Sequence, residues 1–219
     1  MNLDHIELLS HDLNATKRFY EEALGLTIIR SDTKSLTIKI GSSLLTFKEG
    51  AGQPKAVYHF AFNIPQNKLT EAIKWSENRI ELIKQEDAIL IANFESWNAN
   101  AVYFYDNNGN LLEFIARQDL ANAQTAAFDS NQLLNISEIG IVTDNPAALG
   151  AKFVAAYGLG LFEKNQNSEV FTAVGDDYGL LIIVKTNRNW YPTTIPAKSN
   201  WTRIGLTDNE HSNLIEVTA

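Results

Sequence analysis

The 219-residue sequence contains no cysteine, and this absence excludes a disulfide framework and any metal site built on thiolates. A metal ion would need histidine, carboxylate or water as ligands. Basic residues are also few, because 18 Lys+Arg stand against 26 Asp+Glu and give a formal net charge of -8. Since no run of Lys or Arg occurs, we expect no nucleic-acid partner and no anionic membrane surface as a partner.

Long apolar runs are missing as well, since no segment approaches the roughly 18 apolar residues of a membrane span. Residues 1–7 lack the basic and apolar stretches of a signal peptide. These features favour a soluble cytoplasmic protein. The length corresponds to one or two domains, and a chain of this size buries about 70% of its unfolded surface without cross-links.

The sequence contains an internal repeat of one strand, one helix and three strands. In the first copy, a strand-like run at residues 3–9 precedes a helical pattern that ends at Gly25, and three short β-rich runs follow. The same order recurs from Val57 and from Ile136, and a fourth copy begins at Asn200. We therefore predict an α+β fold of tandem βαβββ modules whose last copy is truncated.

A polar, alanine-rich segment without a β pattern separates the second and third modules, and it suits a linker. We place the domain boundary there. The predicted domains are a two-module domain at residues 1–118 and a degenerate, truncated domain at residues 134–219. Residues 119–133 form the predicted linker between them.

Two of the four histidines occupy the same place in successive modules. His5 and His59 each lie in the first strand of a module, 54 residues apart, so we expect them to converge if the two modules pair. Glu113 lies in the last strand of module two between apolar residues, where a buried carboxylate needs a partner. Two imidazoles and one carboxylate can hold a divalent cation and leave positions open for substrate.

These features together resemble the vicinal oxygen chelate superfamily, which includes glyoxalase I, extradiol dioxygenases, fosfomycin-resistance proteins and bleomycin-binding proteins. The resemblance rests on the βαβββ repeat, on Leu-Asp-His-Ile at residues 3–6, on Leu-Gly-Leu at residues 24–26 and on YFYDNNGNLLEF at residues 103–114. It implies a curved, partly closed mixed sheet around one divalent metal ion held by His5, His59 and Glu113.

The sequence also departs from the pattern of this superfamily at several positions. Thr46 stands where glyoxalase I would place a fourth, carboxylate ligand, so three ligands resemble extradiol dioxygenases and fosfomycin-resistance proteins instead. Tyr103 falls where those two groups carry an active-site tyrosine, which implies a catalytic role for it. The chain offers no well-placed further histidine for extradiol chemistry, and residues 93–100 contain no basic residue for a phosphonate.

The second half is expected to have lost the ligand set. At the positions of His5, Thr46 and His59 it carries Glu138, Ile182 and Thr202, and one glutamate cannot form such a site. It would then serve as a structural cover, a pocket wall or a dimer surface. Trp190 and Tyr191 lie in a predicted loop, where they would form a lid, an oligomer contact or packing within their own domain.

The resulting prediction is a metal-dependent enzyme that chelates vicinal oxygens of a small-molecule substrate, with dioxygenase-like or lyase- or isomerase-like chemistry. Fe(II) or Mn(II) would suit O₂ chemistry, and Zn(II), Ni(II) or Mg(II) would suit the other reactions. The alternative is a metal-free protein that sequesters a small molecule, like the bleomycin-binding relatives. A monomer and a homodimer both stay open, because the unfinished module leaves exposed strand edges.

Overall fold

The computed structural model describes residues 1–50, 55–85 and 88–218. Within these residues it contains three α-helices, thirteen strands and a π-helical turn at Phe19–Ala23 that extends the first helix. The elements in chain order are β1 (Asn2–Ser10), α1 (Leu13–Arg18), β2 (Thr27–Ser31), β3 (Ser35–Ile40), β4 (Ser43–Glu49), β5 (His59–Ile64), α2 (Leu69–Ser76), β6 (Ala92–Phe94), β7 (Ala99–Tyr105), β8 (Leu111–Arg117), β9 (Asn135–Thr143), α3 (Pro146–Tyr157), β10 (Phe171–Asp176), β11 (Gly179–Lys185), β12 (Thr202–Asp208) and β13 (His211–Val217).

This order confirms the predicted α+β fold of tandem modules. Module one comprises β1, α1 and β2 to β4, and module two comprises β5, α2 and β6 to β8. Module three comprises β9, α3, β10 and β11, and its first predicted return strand is reduced to a bridge between Leu161 and Val174. Module four consists of β12 and β13 alone, which agrees with the predicted truncation.

The thirteen strands form one mixed sheet with two halves, and the pairings among the described strands do not close it. In each of the first three modules, the first strand runs parallel to the last: β1 to β4, β5 to β8 and β9 to β11. First strands of different modules pair antiparallel, β1 with β12 and β5 with β9. Module one therefore pairs with module four, and module two pairs with module three.

This pairing differs from the sequence-based grouping of modules one and two. The two halves of the sheet join where Leu3 of β1 pairs with Ile136 of β9. Residues 119–133 connect β8 to β9 and contain a short 3-10 helix, Ser130–Gln132. The independent folding of residues 1–118 stays a prediction.

The helix ends follow from local side-chain chemistry. The Asp12 side chain accepts a hydrogen bond from the Ala15 amide at the start of α1, over 2.8 Å. At the start of α3, Asn145 does the same for Ala148, and Pro146 fills the first position, where no amide donor is needed. Gly158 ends α3 with a φ of 69°, the left-handed conformation that glycine adopts most easily.

Strands β5 and β8 are buried along their whole length, because both faces of the sheet are covered here. One face packs Phe62, Phe114 and their neighbours against α2, where Trp75 contacts Phe114. The opposite face carries Ala61, Tyr103 and Ile115 in a second apolar cluster, which reaches into module three. Period-two alternation thus sends every second residue of β5 and β8 to this second face.

No helix among the described residues has both the length and the apolar character needed to cross a membrane.

We expect Gly41→Ala to lower the free energy of unfolding by about 2–4 kcal/mol, because the residue combines backbone strain with a steric clash. Gly41 has a φ of +52°, and a Cβ there would lie 1.8 Å from the Leu134 carbonyl oxygen. Gly160→Ala is the control, since a Cβ at Gly160 meets nothing within 4 Å, and its effect should stay within about 0.5 kcal/mol. Urea unfolding measures both, and equal losses would contradict this assignment.

Candidate metal centre

Three ligand-type side chains converge where modules two and three pair. Glu113 on β8 and Glu138 on β9 both stand opposite Ala61 of β5, one on each side. His59 lies two residues before Ala61 and so shares its face of the sheet. Because Ala61 carries only a methyl group, the space between the two carboxylates stays open.

The three side chains are close enough to share one ion. His59 Nε2 lies 3.8 Å from Glu113 Oε2 and 3.9 Å from Glu138 Oε2, and one ligand atom from each residue lies within 4.8 Å of the others. Two ligand atoms on one cation of about 2.1 Å bond length can be at most about 4.2 Å apart, so both histidine–carboxylate distances are compatible with a shared ion. All three residues are at most 5% exposed.

The orientation of His59 is fixed by a backbone contact. Its Nδ1 lies 3.1 Å from the Leu111 carbonyl oxygen, which can only accept a hydrogen bond, so Nδ1 carries the proton. The lone pair on Nε2 then faces the two carboxylates, as in many metal-binding histidines. Burial is the main cause that lowers the pKa of His59 to about 4; the hydrogen bond to Leu111 opposes this shift, and the charge of Arg188 contributes to it. The imidazole is therefore neutral at neutral pH.

The two carboxylates differ in their partners. Burial raises the pKa of both, and the neighbouring Glu138 raises the pKa of Glu113 further, whereas Arg117 opposes this rise in each. Arg117 is fully buried and forms an ion pair with Glu138 through Nη2. Glu113 Oε1 has no hydrogen-bond partner among the described residues. A buried carboxylate oxygen without a hydrogen-bond partner is unfavourable, and a bound cation would relieve that cost.

Tyr103 lies at the same site. It stands opposite Glu113 in the β7–β8 pair, and its ring centroid is 6.4 Å from that of His59. Burial, followed by the charge of Glu113, raises the pKa of Tyr103 well above its usual value, so its hydroxyl stays protonated. The tyrosine hydroxyl is therefore available as a hydrogen-bond donor beside Glu113, its cross-strand neighbour.

The predicted residues are thus placed in two locations. The structure brings His59, Glu113 and Tyr103 together, but the expected convergence of His5 with His59 is not seen, because β1 pairs with β12 while β5 pairs with β9. His5 Nε2 instead lies 2.8 Å from the hydroxyl oxygen of Thr46. A metal-binding role for His5 stays a prediction.

Glu138 is the residue that sequence reasoning missed: the structure places it beside His59 and Glu113 as a candidate ligand, whereas the sequence predicts no ligand from the second half. It occupies the place in module three that His5 occupies in module one, on a strand whose other residues are mostly buried. The argument used for Glu113, that a carboxylate among buried apolar residues needs a partner, applies equally to Glu138.

A cavity of about 290 Å³ opens above the three side chains. Trp190 covers His59, with ring centroids 5.1 Å apart, and Gly140 makes room for it, since a Cβ there would lie 2.5 Å from Trp190 Cη2. Tyr191 contacts Tyr103 across the same cavity. Among the predicted roles of this aromatic pair, covering a pocket agrees with these contacts.

The chain belongs to the Glyoxalase/Bleomycin resistance protein/Dioxygenase superfamily, whose sequence model matches residues 2–114. A putative dioxygenase from Bacillus subtilis has a similar fold, with a TM-score of 0.59 and 16% identity over 84% of this chain and 63% of its own. The chain thus spans less than two thirds of that protein. A glyoxalase I variant from Zea mays gives a TM-score of 0.58 and 16% identity, over 90% of this chain and 70% of its own. No curated protein matches the sequence.

The donor set fits a divalent cation. One neutral imidazole and two carboxylates suit hard or borderline metals, and Glu113 Oε1 offers an oxygen atom with no described partner. Arg117 balances part of the negative charge, so the two carboxylates of Glu113 and Glu138 need not be neutralised by the ion alone. The candidate site therefore combines one histidine with two glutamates, instead of two histidines with one.

Removal of Arg117 should destabilise the metal-free chain through Glu138. Arg117→Met leaves a buried carboxylate without its cation, so we expect a loss of about 3–5 kcal/mol in the free energy of unfolding. The double variant Arg117→Met/Glu138→Met removes both charges and should lose less than the single variant. Urea unfolding with EDTA tests this, and a double variant as unstable as the single one would contradict the assigned ion pair.

The low pKa of His59 predicts acid sensitivity in the metal-free chain. Because the folded-state pKa of about 4 lies below the ordinary histidine pKa of 6.5, the unfolded chain takes up this proton first, and stability falls as the pH drops from 6.5 towards 4. The raised pKa values of Glu113 and Glu138 act in the opposite direction, so the comparison needs a matched variant.

Between pH 7.5 and 4.5 the parent should lose about 2–3 kcal/mol more than His59→Gln, which has no imidazole to titrate. Urea unfolding with EDTA at both pH values gives the difference. Equal losses in parent and variant would show that His59 titrates normally in the folded chain.

Proposed function

We propose that the chain is a divalent-metal-dependent enzyme that binds a small molecule through two neighbouring oxygen atoms. The observation that carries this proposal is the convergence of His59, Glu113 and Glu138, all buried, at the floor of one cavity. The fixed tautomer of His59 and the unpartnered Oε1 of Glu113 support it. A divalent cation bound there would supply a Lewis acid for the two substrate oxygens.

The other residues of the cavity would prepare the substrate for reaction. Tyr103, held in its protonated form, would donate a hydrogen bond to a substrate oxygen on which negative charge develops. Trp190 would exclude water from the imidazole of His59 and lower the local dielectric constant. Arg117 would hold Glu138 in its ionised form and fix its orientation.

The metal and the reaction type stay open within this proposal. One imidazole with two carboxylates favours Mn(II), Fe(II) or Mg(II), while Zn(II) and Ni(II) also accept such ligands. The structural neighbours include a putative dioxygenase and a glyoxalase I, so dioxygenase-like and lyase- or isomerase-like chemistry are both retained. A cytoplasmic location and a homodimer also stay predictions.

The second candidate function is metal-free binding of a small molecule. The observation that favours it is the ion pair of Arg117 with Glu138, which satisfies one carboxylate without a metal ion. In this case the same cavity would sequester a ligand, and the raised pKa of Glu113 would keep that residue protonated.

Elemental analysis of the purified protein, reconstituted anaerobically with Mn(II), Fe(II) or Zn(II), separates the two functions. We expect about one equivalent of metal in the parent, and a loss of at least tenfold in metal affinity in His59→Ala, Glu113→Gln and Glu138→Gln. His5→Ala is the matched control and should keep the parent's stoichiometry.

The same variants distinguish the ligand set seen in the structure from the set predicted from the sequence. Loss of metal in His5→Ala, with full retention in Glu138→Gln, would support the set predicted from the sequence, namely His5, His59 and Glu113. No metal in the reconstituted parent would overturn the proposed enzyme function and favour the second candidate.

A further inference from the structure

Six aromatic side chains surround the cavity and form a row of ring contacts along its wall. We call this group the aromatic belt; it consists of Phe94, Trp97, Tyr103, Phe171, Trp190 and Tyr191. Consecutive rings lie close together, with centroid distances of 6.3 Å for Phe171–Trp97, 5.9 Å for Trp97–Phe94, 6.0 Å for Phe94–Tyr191 and 6.0 Å for Tyr191–Tyr103. His59 completes the contacts between Tyr103 and Trp190. The wall of the cavity is therefore built from ring faces and edges.

A ring-lined wall selects for the shape of its ligand. Aromatic pairs gain stability beyond that expected from the area that they bury, and a saturated ring of the same size does not make these contacts. The cavity volume of about 290 Å³ lies at the small end for ligand sites. It therefore suits one planar ring or a small fused ring system better than a long flexible chain.

Arg188 supplies the charge at this wall. Its guanidinium carbon lies 5.1 Å from the Phe171 ring centroid, and the half-buried side chain lines the same cavity as His59. Among residues 1–50, 55–85 and 88–218, no carboxylate lies within 4.0 Å of the Arg188 guanidinium. Its Nη1 donates a 3.4 Å hydrogen bond to the Asn189 carbonyl oxygen. By contrast, Arg117 pairs with Glu138, and Lys164 pairs with Asp119 and Asp177.

A guanidinium removed from water without a carboxylate partner is unfavourable, and an anionic ligand relieves that cost. Burial lowers the pKa of Arg188, which reflects the same loss of hydration. The planar fork of five N–H donors matches a carboxylate in a bidentate arrangement. Charge and shape thus point to the same kind of molecule.

We propose that the cavity binds a planar aromatic anion, with its ring against the aromatic belt and its carboxylate on Arg188. Recognition of the ring and the anion needs no metal ion. A second part of this proposal rests on the proposed function. It states that the substrate would also carry two neighbouring oxygen atoms on its ring, directed at His59, Glu113 and Glu138.

The test begins with metal-free protein in EDTA, with binding followed by tryptophan fluorescence and calorimetry. The probes are benzoate, its neutral counterpart benzamide, and cyclohexanecarboxylate, which keeps the charge but not the planar ring. We expect benzoate to bind at least about tenfold more tightly than benzamide and about fivefold more tightly than cyclohexanecarboxylate.

Variants of Arg188 test whether this side chain causes the preference for the benzoate anion over neutral benzamide. Arg188→Gln should abolish the difference between benzoate and benzamide, while Arg188→Lys should keep part of it. Lys198→Gln is the matched control, since it removes an exposed positive charge from the same segment outside this cavity, and it should keep the full difference. Circular dichroism of each variant checks that the fold is retained.

The proposal is overturned if Arg188→Gln keeps the preference for benzoate, if cyclohexanecarboxylate binds as tightly as benzoate, or if benzoate shows no binding with or without metal. A separate measurement with 3,4-dihydroxybenzoate isolates the metal-dependent part. If added Mn(II) does not tighten its binding while benzoate binds as expected, the proposed enzyme function fails and the aromatic-anion site stands.

Discussion

The antiparallel pairing of β5 with β9 places Glu138 beside Ala61, on the side opposite to Glu113 of β8, and the remaining features of the candidate site depend on that register. Because the strand between them carries a methyl group at this point, Glu113 and Glu138 share an open space with His59. A shift of one residue in β9 would turn Glu138 to the face covered by helices. The site is therefore a property of the junction between modules two and three, and neither module contains it alone.

Burying two carboxylates beside one neutral imidazole requires compensation, and Arg117 provides it. This side chain ends β8 and reaches Glu138 and Asp177, which in turn contacts Lys164 near the surface. This series of alternating charges connects the interior to solvent, and together with Asn63 it gives each guanidinium nitrogen one hydrogen-bond acceptor. The fold thus supports a concentration of negative charge that an isolated β-sheet could not hold in its core.

Much of the fold follows from the sequence because its signals are local. The strand–helix–strand periodicity, Asn145-Pro146 at a helix start and the truncated last module all predict elements that the structure contains. His59, Glu113 and Tyr103 meet because they belong to one module, whose first strand pairs with its last strand as in modules one and three. Which module pairs with module two depends on long-range contacts between similar repeats, and local patterns do not determine it. Alternation within a strand shows which face of the sheet a residue occupies but not which strand lies beside it. Glu138 could therefore be noticed as a buried carboxylate, whereas its partners could not be deduced.

Gly140 lies beneath Trp190, and this contact connects a residue without a side chain to the chemistry of its neighbours. The indole of Trp190 can lie against His59 because Gly140 carries a hydrogen atom where any other residue would carry a Cβ atom. A methyl group at position 140 would displace the indole and admit bulk water to the imidazole, so the local dielectric constant would rise while every ligand atom stayed in place. The acidity of His59, and the affinity of the proposed site for a metal ion, would thus be set from the opposite side of an aromatic ring, by a position that no inventory of polar residues would include.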